Sequence, residues 1–223
     1  MITCGAIIVA AGSSRRAGFD KLLAPLNGIP VLRHSINAFL NCPNITEIIV
    51  VCPKDRFDLI MDQTETHLPV KRVDGGSERH ESVMNGIRAL SSHPTLISVH
   101  DGARPLITKE QILKCIDAAT KYQAASSAHP ITDTLKRGDA ESLTTDEVII
   151  RENMWAMETP QIFDTQLLKD AYQMVTDNNL LVTDEVSALQ YLKKPTFLVQ
   201  NNTPNPKITW PQDIAIAEAL QSV

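Results

Sequence analysis

The chain lacks several things that would give it an easy reading. Its 21 Lys and Arg are outnumbered by 26 Asp and Glu, for a formal charge of -5, and no basic block runs longer than a few residues. Nucleic-acid binding needs clustered cations over a broad face, so it is not expected. The four cysteines, Cys4, Cys42, Cys52 and Cys115, form no C-x-x-C pair and stand near no His at zinc spacing. Reduced, buried thiols in a cytoplasmic protein are expected, rather than a zinc site or a disulfide framework. No apolar run is long enough to span a bilayer, and the N-terminal one lacks a basic leader region. It reads as a first strand, and no membrane partner is expected. Internal repeats and low-complexity linkers are also missing. With 43% hydrophobic and 21% charged residues over 223 positions, the expectation is one globular domain spanning 1–223.

Two familiar glycine patterns are missing as well. Residues 10–21 read Ala-Ala-Gly-Ser-Ser-Arg-Arg-Ala-Gly-Phe-Asp-Lys, directly after the apolar run Ile2 to Val9. Ala17 stands where a P-loop needs its second Gly, and no Lys-Ser/Thr follows. Ser14 and Ala17 occupy the later Gly positions of the dinucleotide pattern. What is present is a small-residue loop with two arginines and a lysine. Small residues let backbone N–H groups approach anionic oxygens, and the cations neutralise them. On this motif alone, an ordinary strand-to-helix turn with solvated arginines stays open.

Two more loops share the same character. Gly75-Gly76-Ser77-Glu78-Arg79-His80-Glu81-Ser82 joins paired glycines to a helix start, with Ser77 the expected cap. Helix N-termini favour anionic groups, although a plain capped helix also satisfies the pattern. His100-Asp101-Gly102-Ala103-Arg104-Pro105 sets a carboxylate at a strand end. Hard cations such as Mg²⁺ want that oxygen beside phosphates, and Arg104 suits a second phosphate; a turn-capping Asp is the alternative. His80 and His100 are expected to be structural. A phosphomonoester nucleophile, with a second pKa of about 6, needs no general base near neutral pH.

Alternation of short apolar runs and amphipathic segments organises the first half. Strands are expected at 5–10, 47–52, 71–73 and 96–100, and helices at 30–41, 54–65 and 78–90. That alternation implies βαβ units, a mostly parallel sheet and helices on both faces. Each loop above then lies at a strand's carboxyl end, where such sheets bind ligands. Further on, 124–129 and 155–163 read as strands. Segments 164–178, 183–192 and 211–222 read as helices, with Thr183 a cap and Pro211 in a first turn. Between them, the polar stretch 133–151 suits a hairpin-like excursion.

Taken together, these loops resemble a known family. The chain carries Ala10-Ala11-Gly12, Arg16 and Lys21; Gly75-Gly76, Arg79 and Ser82-Val83; and His100 to Pro105. It then carries Asp133-Thr134-Leu135-Lys136, Thr159-Pro160-Gln161, Thr183-Asp184-Glu185-x-Ser187 and Lys207-Ile208-Thr209. In that order they resemble the 2-C-methyl-D-erythritol 4-phosphate cytidylyltransferases of the non-mevalonate isoprenoid pathway, over almost the whole chain. The resemblance implies a Rossmann-like three-layer α/β sandwich with a protruding β-arm at about 133–151, and cytidylyl transfer from CTP to a polyol phosphate. It implies that Arg16, Lys21 and Lys207 are catalytic cations at the triphosphate and that Asp101 is the Mg²⁺ ligand. Ala10, Ala11, Gly12, Gly76, Ser77 and Ser82 would enclose the nucleotide. Arg104, Thr134, Arg151 and Thr159 would surround the acceptor, with Thr134 and Arg151 serving a second subunit of a homodimer.

Ser14 in place of the family's second Gly and Phe19-Asp20 before Lys21 are departures that touch fine nucleotide contacts. The nearest rival is a cytidylyltransferase acting on ribitol 5-phosphate. A Rossmann oxidoreductase is disfavoured because Cys52-Pro53-Lys54 replaces the acidic ribose ligand after the second strand. A catalytically dead nucleotide binder is disfavoured by the intact Arg16, Lys21, Asp101 and Lys207.

Overall fold

The structure is a computed structural model that describes residues 2–12, 18–62 and 64–222. Strands β1 (Cys4–Val9), β4 (Ile45–Val51), β5 (Val70–Val73) and β6 (Leu96–Asp101) alternate with helices α1 (Val31–Leu40), α2 (Lys54–Met61) and α3 (Arg79–Ala89), after a small hairpin of β2 (Pro25–Leu26) and β3 (Ile29–Pro30). Then come α4 (Lys109–Tyr122), β7 (Ala124–Pro130), β8 (Trp155–Asp164), α5 (Thr165–Asp177), α6 (Glu185–Tyr191), β9 (Phe197–Gln200) and α7 (Gln212–Gln221). The seven-stranded sheet has the order β5-β4-β1-β6-β8-β7-β9. Pairings β1–β4, β1–β6, β4–β5 and β7–β9 are parallel; β8 runs antiparallel to both neighbours.

Why the strands read as continuous apolar runs is clear from the two cores. Successive strand side chains point to opposite faces. Ala6 and Ile8 of β1, with Ile48 and Val50 of β4, pack on one face against Ile36 and Phe39 of α1 and Ile112 and Ile116 of α4. Ile7, Ile49 and Val51 pack on the other against Val83 and Ile87 of α3, Leu168 and Tyr172 of α5 and Leu189 of α6. A sheet covered on both faces spends both side-chain sets on apolar burial. The expected three-layer α/β architecture is what forms.

Several local expectations change. No helix was anticipated between 105 and 124, yet α4 fills it, its N-terminus capped by Thr108 accepting from the Gln111 N–H at 3.2 Å. Strand β9 and the β2–β3 hairpin are likewise additional. Ser77 does not cap α3: Glu78 does, in a reciprocal capping box with Glu81. Thr183 does not cap α6; Asp184 does, with Ser187 returning the bond.

The 133–151 excursion contains no strand. Its two sides run past each other through isolated contacts: Thr145 Oγ1 donates to the Arg137 carbonyl at 2.6 Å, and Asp139 N–H donates to the Thr144 carbonyl at 2.9 Å. Leu143, Val148 and Ile150 are exposed. A two-stranded ribbon with no face to pack against is marginal in water, which accounts for the missing ladder. The β-arm expectation is corrected to an exposed, irregular excursion.

Candidate active site

The carboxyl ends of β1 and β6 lie side by side, with Val9 in register with Asp101. Asp101 is the centre of a charge cluster. Its Oδ1 lies 2.8 Å from Arg79 Nη1, and its Oδ2 lies 2.8 Å from Lys207 Nζ and 3.6 Å from Arg104 Nε. Burial by itself would raise the Asp101 carboxyl; Arg79, Lys207 and Arg104 outweigh it and hold the group well below the ordinary carboxylate range. Arg79 is also divided between two acids. Its Nη2 and Nε reach the buried Glu185 carboxylate at 3.0 and 3.1 Å. Burial works against the Arg79 charge, but Glu185 and Asp101 overcome it and push the guanidinium further toward the cation.

Lys21 reaches the same end of the sheet from the first loop. Its Nζ donates to the carbonyl of Ile208, the residue after Lys207, at 2.6 Å. Two cations 186 positions apart in sequence are thus brought to one locus, next to a third and a fourth. Arg16 and Ser14 fall outside the described residues.

Around this cluster the proposed nucleotide residues form one wall. Ala10 is buried just past β1, and Arg56 of α2 donates to its carbonyl while pairing with Asp20 at 2.8 Å. Arg56 Nη2 also meets the Gly12 carbonyl at 3.5 Å, so one guanidinium fixes the described ends of the loop. Gly75 abuts Ala11: a Cβ built on it would lie 2.5 Å from the Ala11 Cβ. Gly76 N–H donates to Ser82 Oγ at 3.0 Å, and Ser82 Oγ donates to the Glu78 carbonyl at 3.1 Å. Ser77 donates through both its N–H and its Oγ to Glu81 Oε2 at 2.7 Å.

On the other side, Thr159 Oγ1 accepts from the Asp101 N–H at 3.0 Å and meets His100 Nδ1 at 3.0 Å. His100 Nε2 lies 3.2 Å from the Arg104 carbonyl. Fully buried, His100 is pushed down to about 4, so it is neutral near pH 7 with both ring nitrogens engaged. It is a fastener between β6 and β8, not a base. Arg104 donates to the Asn205 carbonyl at 2.8 Å and the Met157 carbonyl at 3.4 Å. Asp101, Arg104, Thr159, Lys207 and Lys21 therefore come together within one chain. Thr134 and Arg151 do not: among the described residues neither bonds to the cluster, and Arg151 donates to the Thr132 carbonyl inside the excursion.

Sequence reasoning passed over Arg79, Glu185 and Arg56 as site residues. Arg79 and Glu185 both stood in quoted motifs, at the start of α3 and in Thr183-Asp184-Glu185. The signal was an unpaired cation at one helix start and a buried-position acid at another.

The chain as a whole is similar to known proteins. The sequence profile of the 2-C-methyl-D-erythritol 4-phosphate cytidylyltransferase family matches residues 4–222. The chain is 36% identical over 219 residues to the enzyme of that name from Halalkalibacterium halodurans, covering 96% of this chain and 95% of the relative. It is 33% identical to the chloroplastic one of Oryza sativa, covering 97% of this chain and 73% of the relative. Among solved structures it resembles the 4-diphosphocytidyl-2C-methyl-D-erythritol synthase of Anaerococcus prevotii, with a TM-score of 0.85 at 29% identity over 100% and 99% of the two chains.

Proposed function

The chain belongs to the 2-C-methyl-D-erythritol 4-phosphate cytidylyltransferase family, and from that premise we propose how its residues divide the work. The reaction is transfer of the cytidylyl group of CTP to 2-C-methyl-D-erythritol 4-phosphate, giving 4-diphosphocytidyl-2-C-methyl-D-erythritol and pyrophosphate. A phosphate oxygen of the acceptor attacks the α-phosphorus in line, and the bond to the β-phosphate oxygen breaks. The acceptor is already largely dianionic, its second pKa being about 6, so no residue removes a proton. Catalysis is positioning and charge neutralisation.

In this reading Lys21, Lys207 and Arg16 neutralise the charge that develops on the α-phosphoryl group and the leaving pyrophosphate. Ala10, Ala11, Gly12, Gly76, Ser77 and Ser82 enclose the nucleotide. Arg104 and Thr159 receive the acceptor. The convergence of Lys21 and Lys207 at the Asp101 strand end carries the proposal. Thr134 and Arg151 serve a neighbouring subunit's site across a two-fold dimer, which fits their separation from the cluster of their own chain.

The site suits Mg²⁺ brought in by the nucleotide. Among the described residues no three His, Cys, Asp or Glu side chains gather into a metal cage. Asp101 supplies one hard oxygen, Oδ2, whose partner Lys207 has a side chain 40% exposed and free to turn toward phosphate. When bound, the ion adds Lewis-acid neutralisation of phosphate oxygens. No helix among the described residues is long and apolar enough to cross a membrane, and a cytoplasmic setting fits the reaction's polar substrates. The test is pyrophosphate release from CTP, in the presence of Mg²⁺, with each of the two acceptors in turn. A higher kcat/KM with methylerythritol phosphate is expected; a higher one with ribitol 5-phosphate would overturn the acceptor assignment.

A further inference from the structure

Beside Arg104 and Lys207 lies a cavity of about 560 Å³, whose lining also includes His129, Glu158, Asn201 and Asn205. Glu158 is buried, yet belongs to none of the motifs that define the site. Its carboxylate is fully used. Oε2 accepts from Ser127 Oγ at 2.9 Å, Asn201 Nδ2 at 2.9 Å and Asn205 Nδ2 at 3.3 Å, and Oε1 meets His129 Nδ1 at 2.8 Å. These partners come from separate pieces of chain: β7 and the loop that follows β9. Ser127 extends the network to α4, since Gln111 Nε2 donates to its Oγ at 3.1 Å and to the Val199 carbonyl at 3.1 Å.

Three donors, Ser127, Asn201 and Asn205, converge on one buried oxygen, and the His129 ring faces the other, so the side chain at 158 must supply an acceptor there. The restraint passes directly into the site. Asn205 Nδ2 also donates to the Thr159 carbonyl at 3.0 Å, and the Asn205 carbonyl receives Arg104. Two residues further on the same loop delivers Lys207 to Asp101. We propose that Glu158 is a positioning residue. Its carboxylate pins the loop of residues 201–207 to β7 and β8, and so holds Arg104 and Thr159 in the relative placement that receives the acceptor phosphate. The proposal rests on the acceptor reading above.

Glu158→Leu keeps bulk and removes every acceptor. Glu158→Gln can keep all four contacts: its oxygen accepts from Ser127, Asn201 and Asn205, and its amide donates to His129 in the tautomer with Nδ1 unprotonated. Asn205→Ala cuts the link to Thr159 while leaving the carboxylate three partners, and carries the test if Glu158→Leu fails to fold. Two measurements are needed on each: steady-state kinetics with both substrates varied, and amide hydrogen exchange of residues 201–208. Glu158→Leu and Asn205→Ala should raise the acceptor KM about tenfold with the CTP KM within about twofold, the mark of lost acceptor binding. Exchange in 201–208 should quicken in Glu158→Leu, while Glu158→Gln stays near wild type in every readout. An acceptor KM within about twofold of wild type in Asn205→Ala, KM values rising together, or unchanged exchange in Glu158→Leu would overturn the proposal. A wild-type enzyme that fails to use methylerythritol phosphate would instead sink the acceptor reading, and the exchange comparison would still decide the role of Glu158.

Discussion

Arg79, Arg104, Lys207 and Lys21 gather at the end of β6 around two buried acids, Asp101 and Glu185, and that cluster sets what single substitutions should do. Asp101 and Glu185 neutralise part of the cluster, and in the proposed reading the triphosphate meets its cations. Removing one preorganised donor of this kind costs ~10²–10³ in kcat, or about 2.7–4 kcal/mol. Lys21→Ala should lose that much turnover while the protein still folds, checked by steady-state kinetics beside a thermal melt. A variant with near wild-type kcat would remove Lys21 from the chemistry. His100 makes a different prediction, about stability. Its folded value of about 4 lies below the 6.5 of an unperturbed His. Between those values the unfolded chain binds a proton that the folded one refuses, so stability falls as pH drops from 6.5 toward 4 and then levels. That difference amounts to about 3 kcal/mol. Urea midpoints of wild type and His100→Asn, followed from pH 7 to 4, should converge as the wild type loses that margin. Parallel curves would show that His100 titrates normally.

Elements explain which parts of this site could be read in the sequence. Asp101 and Arg104 lie in one short motif at the end of β6, where sheet topology leaves a ligand little choice of location, whereas Thr159, inside β8, and Lys207, in the loop after β9, were legible only through their motifs. The double duty of Arg79 was hidden because its partner Glu185 is 106 residues away. Helix α4 was hidden for a local reason: its stop is Gln123 in a left-handed conformation, φ 66°, where a glycine would have marked the boundary. The Ser77 and Thr183 caps were each one residue early, since an acid in the next position takes the cap and completes a reciprocal box. Gly75 shows an element-scale contact with a consequence for binding. The Cβ of an alanine there would sit 2.5 Å from the Ala11 Cβ, far inside van der Waals contact. Overpacking costs ~1–3 kcal/mol, and an exposed loop gives way before a core does. Gly75→Ala should therefore displace the first loop and raise the CTP KM about tenfold, leaving the acceptor KM unchanged. An unaltered CTP KM would mean that Ala11 is not part of the nucleotide wall.

At the scale of the whole molecule, the excursion at 133–151 does not account for itself within one chain. It exposes Leu143, Val148 and Ile150 and forms no strand ladder, although its sides run alongside each other. It also carries Thr134 and Arg151, which, among the described residues, bond to nothing in the cluster of their own chain. A second copy related by a two-fold axis would answer each point. It would cover the apolar residues, give the excursion a face to pack against, and receive Thr134 and Arg151 at its own acceptor site. Such sharing makes a sharp prediction. Lys21→Ala damages the site in its own subunit, whereas Arg151→Ala damages the partner's. Each variant alone has both sites of its dimer broken once. In a mixed dimer one site collects both lesions and the other collects none. Unfolded and refolded together in equal amounts, the two variants pair at random, and half the dimers are mixed. One of two sites works in those, so roughly one quarter of wild-type activity should return. Recovery should vanish when the variants are refolded separately and mixed without exchange of subunits. If mixed dimers are isolated by a tag on each variant and remain inactive, Arg151 acts in its own subunit, and the excursion would have to fold back to its own site.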